Sequence, residues 1–213
     1  MEALTVNEQQ RDALERETRG QASTFLWMRA REKRIRASMC HRVITFTGRT
    51  SGKCVINDIM KPKSFTSADT QFGITHEPQA IERYSQSRDI AIENCGLFIS
   101  IDKGFLSATP DSILTERSGD KGVLEVKALP TFQDVRPLDT YKDKNYPVKM
   151  NRKVVNGQIQ MVPELKKKHK FYHQIQLQLY CCPFASFADF VIYHVKVNQF
   201  HFERIYPEQA WHA

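Results

Sequence analysis

The sequence predicts a mixed α/β fold, with a central mixed β-sheet flanked by helices and extra helices at the N-terminal end. Three observations lead there. Apolar residues recur at helical spacing in the first third of the chain and again near its end. They alternate with period two in the middle and over the last stretch. No internal repeat or low-complexity tract breaks the order helices, strands, helix, strands. The chain has 213 residues, 41% hydrophobic and 26% charged, enough for one large domain with a sizeable core. One domain over 1–213 is expected, with helices over 5–66, a core over 67–213, and an insertion carrying a hairpin over 130–165.

Taken in order, Asn7 caps a helix running to about Arg19 and closed by Gly20. A basic helix follows from Phe25 to about Arg36, then a short one from Ser38 to about Thr45, then a flexible loop from Gly48 to Gly52. Ala68, Phe72, Ile81 and Tyr84 mark a helix over Ser67 to about Ser85, which Pro78 either opens or kinks. Leu97–Ile101, Phe105–Leu114 and Val123–Leu129 read as three strands of an antiparallel meander. The stretch from Pro130 to Pro163 is polar and rich in Pro and Lys, and Asn156-Gly157 within it suits a type I′ hairpin turn. Lys166 to about Cys182 is helical and ends before Pro183; Ala188–Val197 and Gln199–Ile205 are the last strands.

A net charge of +7 favours a polyanionic partner without naming one. Five cysteines, an odd number with no CxxC pair, point to reduced, mostly buried thiols rather than a disulfide framework, a zinc site or an iron–sulfur site. No apolar run reaches the roughly 18 residues of a membrane span. The first residues lead into a charged segment rather than an apolar signal region, which predicts an intracellular protein of nucleus or cytoplasm, neither secreted nor membrane-bound.

The chemistry concentrates at Pro110-Asp111 and, after thirteen intervening residues, Glu125-Val126-Lys127. Residues two apart on a strand share a face, so Glu125 and Lys127 project together, and a hairpin turn brings Asp111 beside them. Two carboxylates and an ammonium then meet on a sheet lined with apolar residues. Such burial is costly unless the charges pair or hold a cation. Mg²⁺ takes oxygen ligands, usually one or two carboxylates with waters and phosphate oxygens. The alternative is a solvent-facing pair on an edge strand and a turn-forming Asp. A second acid-x-Lys copy, Glu164-Leu165-Lys166, starts a basic helix and lacks both the strand and the Pro-Asp.

Other motifs stand in a definite order around this one: Gly73 to Ala80 with Glu77, Ser107-Ala108-Thr109-Pro110-Asp111, Leu124 to Lys127, and Tyr172 to Gln176 with Gln174. The series resembles the PD-(D/E)XK nuclease superfamily in its lambda-type exonuclease and YqaJ viral-recombinase branch: G-x-x-x-E-x-x-A, S-x-x-P-D, L-E-x-K, Y-x-Q-x-Q. The resemblance implies a restriction-endonuclease-like core and a DNA nuclease using Mg²⁺, with Mn²⁺ as substitute. It implies Asp111, Glu125 and the Val126 carbonyl as metal ligands, Glu77 as support for the metal through water, Lys127 as the catalytic lysine, and Gln174 as a residue that orders the site. Near the N-terminus, Trp27 to Arg31 and Ile35 to Ser38 resemble the family's W-x-x-x-R-x-x-x-I-T-A-S. Arg31 and Ser38 thereby inherit the grip on a DNA 5′-phosphate, for which a planar guanidinium is apt. Ser38 is equally placed to cap the next helix. Arg36 stands where the pattern has Thr, and either adds a phosphate contact or points away.

Lys166 and Lys170 lie on the helical face of Gln174 and either track the DNA backbone or form a solvated basic face. The leading expectation is a 5′→3′ exonuclease acting on double-stranded DNA with free ends in viral- or mobile-element-type recombination. An endonuclease or nickase on the same fold is the second expectation. A DNA-binding module without catalysis is the third, disfavoured because Asp111, Glu125 and Lys127 are all present. Relatives that form rings, and others that act alone, bring a homo-oligomer and a single-strand-annealing protein into view as partners.

Overall fold

The computed structural model describes residues 4–49, 51–62 and 67–212. The first helix, α1 (Glu8–Glu17), opens on a reciprocal cap. The Asn7 side chain accepts the Gln10 N–H at 2.9 Å, and the Gln10 side chain accepts the Asn7 N–H at 3.0 Å. Buried Glu15 fixes this helix to the core. It pairs with Arg19 and accepts the Gly96 N–H at 2.9 Å, and a Cβ on Gly96 would strike the Glu15 carbonyl. Helix α2 (Phe25–Ala30) is capped by Thr24 and stops well before Arg36. Lys33 takes a φ of 60°, turning the chain out of the helix, and the next residues form the short strand β1 (Ile35–Arg36). Ser38 lies inside a 3₁₀ turn, Ala37–Met39, and makes no capping bond to α3 (Cys40–Ile44), so the capping role is corrected. Of the expected Gly48–Gly52 loop, Thr50 lies outside the described residues, and a helix not foreseen follows it, α4 (Lys53–Met60).

Helix α5 (Ala68–Ser87) is capped by Ser67 and contains Pro78 in its middle, not its first turn. Pro78 has no N–H to give the Ile74 carbonyl one turn back. The strands then follow: β2 (Ile90–Glu93), β3 (Phe98–Ile99), β4 (Leu106–Ala108), β5 (Ser112–Glu116) and β6 (Lys121–Ala128). The short helix α6 (Pro137–Thr140) precedes the hairpin of β7 (Val148–Val155) and β8 (Gln158–Leu165). After it come α7 (Lys170–Cys181), β9 (Phe187–His194), β10 (Gln199–Ile205) and α8 (Gln209–His212).

The main sheet has the order β10-β9-β6-β5-β2. It is antiparallel except for the parallel pair β6–β9, hence mixed as expected. The meander is corrected. Pro110 has no N–H to donate to a ladder, and it splits the expected Phe105–Leu114 strand into β4 and β5, which belong to different sheets. Strand β4 instead lies between β1 and β3 in a three-stranded sheet. Helix α7 packs Phe171, Ile175 and Leu179 against one face of the main sheet, with Val123, Ala188, Phe190 and Ile192. Helix α5 packs Ala80 and Tyr84 against the other, with Leu124, Val126, Val191 and Tyr193. Each fully buried aliphatic side chain contributes roughly 1.5–3 kcal/mol.

The 130–165 stretch is rooted in the core. Phe132, Tyr146, Val148 and Leu165 are buried there, and the Tyr146 hydroxyl meets His194 Nε2 at 2.9 Å. Asn156 and Gly157 take φ of 50° and 77° at the hairpin turn, the left-handed pair that a type I′ turn needs. Glu164-Leu165 completes β8 rather than starting a helix, and α7 begins only at Lys170.

Candidate active site

Strand β6 alternates its side chains, and this sorts its residues by face. Leu124 and Val126 enter the α5 side; Val123 and Glu125 enter the α7 side. Pro110 ends the β5–β6 ladder, with Ser112 opposite Leu124 and the Asp111 N–H on the Leu124 carbonyl at 3.0 Å. Beyond that rung the Val126 N–H has no β5 backbone partner, and Asp111 Oδ2 takes it at 2.6 Å. The other Asp111 carboxylate oxygen has no hydrogen bond among the described residues. Pro110 is held from behind: its carbonyl accepts Gln21 Nε2 and the Cys95 thiol, both at 3.2 Å.

Glu125 is 1% exposed and wrapped by donors. Gln174 Nε2 reaches its Oε1 at 2.6 Å, Gln178 Nε2 bonds its Oε2, and Lys127 Nζ pairs with Oε1. Gln174 and Gln178 are one helical turn apart on α7, so they meet the same carboxylate. Gln176, the other Gln of the motif, points away and holds the Tyr206 carbonyl and Glu208 N–H, both at 3.0 Å. Lys127 also approaches the Phe171 ring, 5.6 Å from its centroid.

The structure gathers Asp111, Glu125, Lys127, Glu77 and Gln174. Glu77, on α5, makes no ion pair or hydrogen bond among the described residues, yet it feels the others. Burial raises its pKa, Lys127 opposes this, and Glu125 adds to it. The Asp111 carboxyl is raised well above its usual range by burial and then by Glu125. Burial alone would lower the Lys127 ammonium, but Glu125, Asp111 and Glu77 outweigh that and hold it above its usual range. Three carboxyl groups thus share one ammonium. This is an oxygen-only donor set with unspent negative charge, which fits a divalent cation such as Mg²⁺. Among the described residues no three His, Cys, Asp or Glu side chains are grouped closely enough to form a ready metal cage.

Glu77 lies between two openings. One, of about 670 Å³, is lined by Ser38, Glu77, Lys127, His169 and Lys170. The other, of about 570 Å³, is lined by Glu77, Pro78, Asp111 and Gln21. A third, small cavity of about 100 Å³ holds Arg31, Arg36, Ser38, Ser107 and Gln174, so Ser38 borders both it and the first groove. Strand β1 builds this cavity, because its register sets Arg36 opposite Ser107. The Arg31 guanidinium carbon sits 3.6 Å from the Trp27 ring centroid, and Trp27 Nε1 donates to Thr109 Oγ1 at 3.1 Å. Arg31 has no carboxylate partner among the described residues; burial, with Arg36 adding, pushes it down to about 9. Arg36 Nη2 donates to the Asp58 carbonyl at 3.1 Å, while its Nε and the Ser107 hydroxyl are buried without partners among the described residues.

Lys166 is corrected. It is not on α7, and its ammonium is engaged by the carbonyls of Lys144 at 2.8 Å and Tyr146 at 2.6 Å, where it closes the base of the hairpin. Lys170 is the first residue of α7, and it lines the large groove. Gln178 and His169 were not singled out from sequence, and Ser107 stood in the S-x-x-P-D motif with no role of its own. Gln178 had a signal, one helical turn beyond Gln174. His169 caps α7 as an acceptor from the Phe171 N–H, with burial and the neighbouring Lys170 and Lys166 pushing it down to about 4.

The fold is thus a five-stranded mixed sheet between two helices, with Asp111 where β5 breaks off beside Glu125 and Lys127 of β6. Residues 26–185 match the YqaJ-like viral recombinase domain, and the chain belongs to that family. The alkaline exonuclease LHK-Exo from Laribacter hongkongensis shares 22% identity over 88% of this chain and 84% of its own, with a TM-score of 0.62. The same protein in complex with dAMP gives 21%, 88%, 85% and 0.63. A SOX–DNA complex gives 11% identity over 97% of this chain and 69% of that one, with a TM-score of 0.56. No curated protein matches the chain in sequence. No helix among the described residues is long and apolar enough to cross a membrane.

Proposed function

We propose that this chain is a divalent-metal-dependent DNA nuclease, a 5′→3′ exonuclease on duplex ends that serves recombination of the viral or mobile-element type. One observation carries the reading: two unfinished sites lie side by side and share Ser38 and Gln174. One is an acidic centre with charge to spare. The other is a two-arginine pocket with buried, unpartnered donors. The first suits a metal and a scissile phosphate; the second suits a terminal phosphate. Family membership and the exonuclease and DNA complexes among the structural neighbours support it.

Asp111, Glu125 and the Val126 carbonyl would hold Mg²⁺ or Mn²⁺, with Glu77 acting through water. A bound ion supplies Lewis acidity at the phosphate and lowers the pKa of attacking water. The chain's residues do the rest. Gln174 and Gln178 fix the Glu125 carboxylate in one orientation. Lys127, already donating to Glu125, offers a positive charge to the phosphate oxygens as they gain negative charge. Arg31 binds the terminal phosphate with its fork, stiffened by Trp27; Arg36 and Ser38 complete the pocket, and Lys170 contacts the backbone from the groove.

The test is digestion of linear duplexes bearing 5′-phosphate or 5′-hydroxyl ends, and of closed circular DNA, with and without Mg²⁺. Expected are mononucleotides from the 5′-phosphorylated end, little from the 5′-hydroxyl end, and an intact circle. Nicked circles would move the reading to an endonuclease, and a purified protein that binds but never cuts would reduce it to a binding module.

A further inference from the structure

The net charge of the chain is +7, and one segment carries all of it. Residues 142–170 hold nine Lys and Arg against two acids, so the other residues together are electroneutral. That segment is the β7–β8 hairpin and its two flanks. It is continuous with the large groove, which Asn145, Pro147 and Lys170 line.

The hairpin also has an unpartnered apolar face. By its register, Val148, Met150, Arg152 and Val154 share one face with Leu165, Pro163, Met161 and Ile159. At the root, Val148 and Leu165 are buried in the core. Toward the tip the same face leaves the body: Val154 is 73%, Ile159 74% and Met161 52% exposed. The other face is mainly polar, with Lys153 and Asn151 both bonded to Glu164, and its two valines, Val155 and Val162, are half-buried. Three large apolar side chains raised together on one face of a ribbon mark a surface that something covers. An isolated two-stranded ribbon is also marginal by itself.

We propose that this hairpin is an arm that holds duplex DNA beside the catalytic groove. Its apolar face packs against sugars and bases in a groove of the duplex while Lys149 and Arg152 contact the flanking phosphates. The charge names the occupant. An electroneutral second copy of the body has no excess of acid to answer this segment, whereas a duplex carries one negative charge per ~1.7 Å of axis. Apolar side chains against an opened groove are a known means of holding DNA. The inference rests on the DNA-nuclease reading. It adds that affinity and processivity come from an element remote from Asp111, Glu125 and Lys127.

The test uses the full chain, a labelled duplex, and two variants at exposed positions, Val154→Ser with Ile159→Ser, and Lys149→Ala with Arg152→Ala. Duplex affinity is measured without divalent metal over a range of NaCl, cleavage at saturating duplex with Mg²⁺, and mass by sedimentation. The apolar variant is expected to bind about tenfold more weakly with an unchanged salt slope, since buried apolar area is lost and no charge. The basic variant should lower the slope of log affinity against log salt by about 1–2, near 0.9 per lost phosphate contact. Both should keep the wild-type rate at saturation and the wild-type mass, while releasing fewer nucleotides per encounter. Wild-type affinity in both variants, with wild-type cutting intact, overturns the arm alone. A change in mass without a change in affinity overturns it in favour of a second copy. A wild-type protein that binds through the hairpin but never cuts supports the arm and removes the nuclease reading instead.

Discussion

Two buried charge clusters lie back to back on this sheet, and they differ in whether they are finished. On the α5 face, Asp189 of β9 sits opposite Leu124 of β6. It accepts Arg204 Nε at 2.7 Å, Arg204 Nη2 at 2.8 Å and the Tyr84 hydroxyl at 2.5 Å, and Arg204 Nη1 goes on to Glu116 at 2.5 Å. Every charge there has its partner. One residue further along β6, on the opposite face, Glu125 joins a cluster with three carboxyl groups and one ammonium. The finished cluster sets two acids against one arginine, the other three acids against one lysine. What separates them is satisfaction: a completed network adds rigidity, while an incomplete one keeps affinity for something from outside.

The largest expected effect comes from spoiling the finished cluster. Arg204→Met leaves Asp189 buried with Tyr84 alone, and should destabilise the fold by about 3–5 kcal/mol, the usual penalty for orphaning a buried charge. Thermal unfolding measures this, and an unaltered midpoint would erase the contrast. Next, Lys127→Ala should cut DNA cleavage by roughly 10²–10³-fold, the scale of losing one electrostatic group at a reacting centre. Circular dichroism should show that fold retained, and cutting at the wild-type rate would place the chemistry elsewhere.

Arg31→Ala addresses the second unfinished place. A charge-assisted hydrogen bond contributes about 1.5–3 kcal/mol, so the preference for 5′-phosphorylated over 5′-hydroxyl ends should fall by roughly one to two orders of magnitude. Rates on the 5′-hydroxyl substrate should hardly move. The smallest effect has the most telling sign. Asp111 is held above its usual range by burial and by Glu125, so its ionisation works against the metal-free fold. Below the unfolded carboxyl pKa of about 3.9 there is no such strain; it grows as pH rises past that value toward the folded one. Asp111→Asn should therefore stabilise the metal-free protein at neutral pH and leave it unchanged near pH 3. Mg²⁺ should raise the midpoint of the wild type and not of the variant. A destabilised variant at neutral pH would show that the cluster was complete after all.

Much of the centre was legible because strand alternation and one hairpin turn are local rules. Period two set Glu125 beside Lys127, and the spacing to Asp111 matched a single turn. Gln174 was legible through its motif, whereas Gln178 was passed over even though helical spacing repeats Gln174 there. The pocket was only half legible. Arg31 and Ser38 stood in a pattern, but the buried Ser107 hydroxyl depends on β1 pairing parallel to β4, across about 70 residues of chain, and no local signal encodes that. Lys166 was misplaced because a run of lysines has no apolar periodicity to say where a helix starts. Strand β2 went unread because it is only four residues long and just Arg88 and Asp89 separate it from α5. The finished cluster escaped for a similar reason: Asp189 inside an apolar strand was visible, but its partners, Tyr84 and Arg204, come from two other elements, α5 and β10.

The segment before Asp111 is braced twice by the N-terminal region, Trp27 to Thr109 and Gln21 to Pro110. Gln21 holds this position from a left-handed φ of 45°, a strained setting for a side chain other than glycine. On the proposed reading, those braces work as a gauge. They hold constant the span between where a strand's terminus is seated and where it is severed, so the enzyme takes the same length with every bite. Loosening them should show first as uneven product sizes rather than as slower turnover.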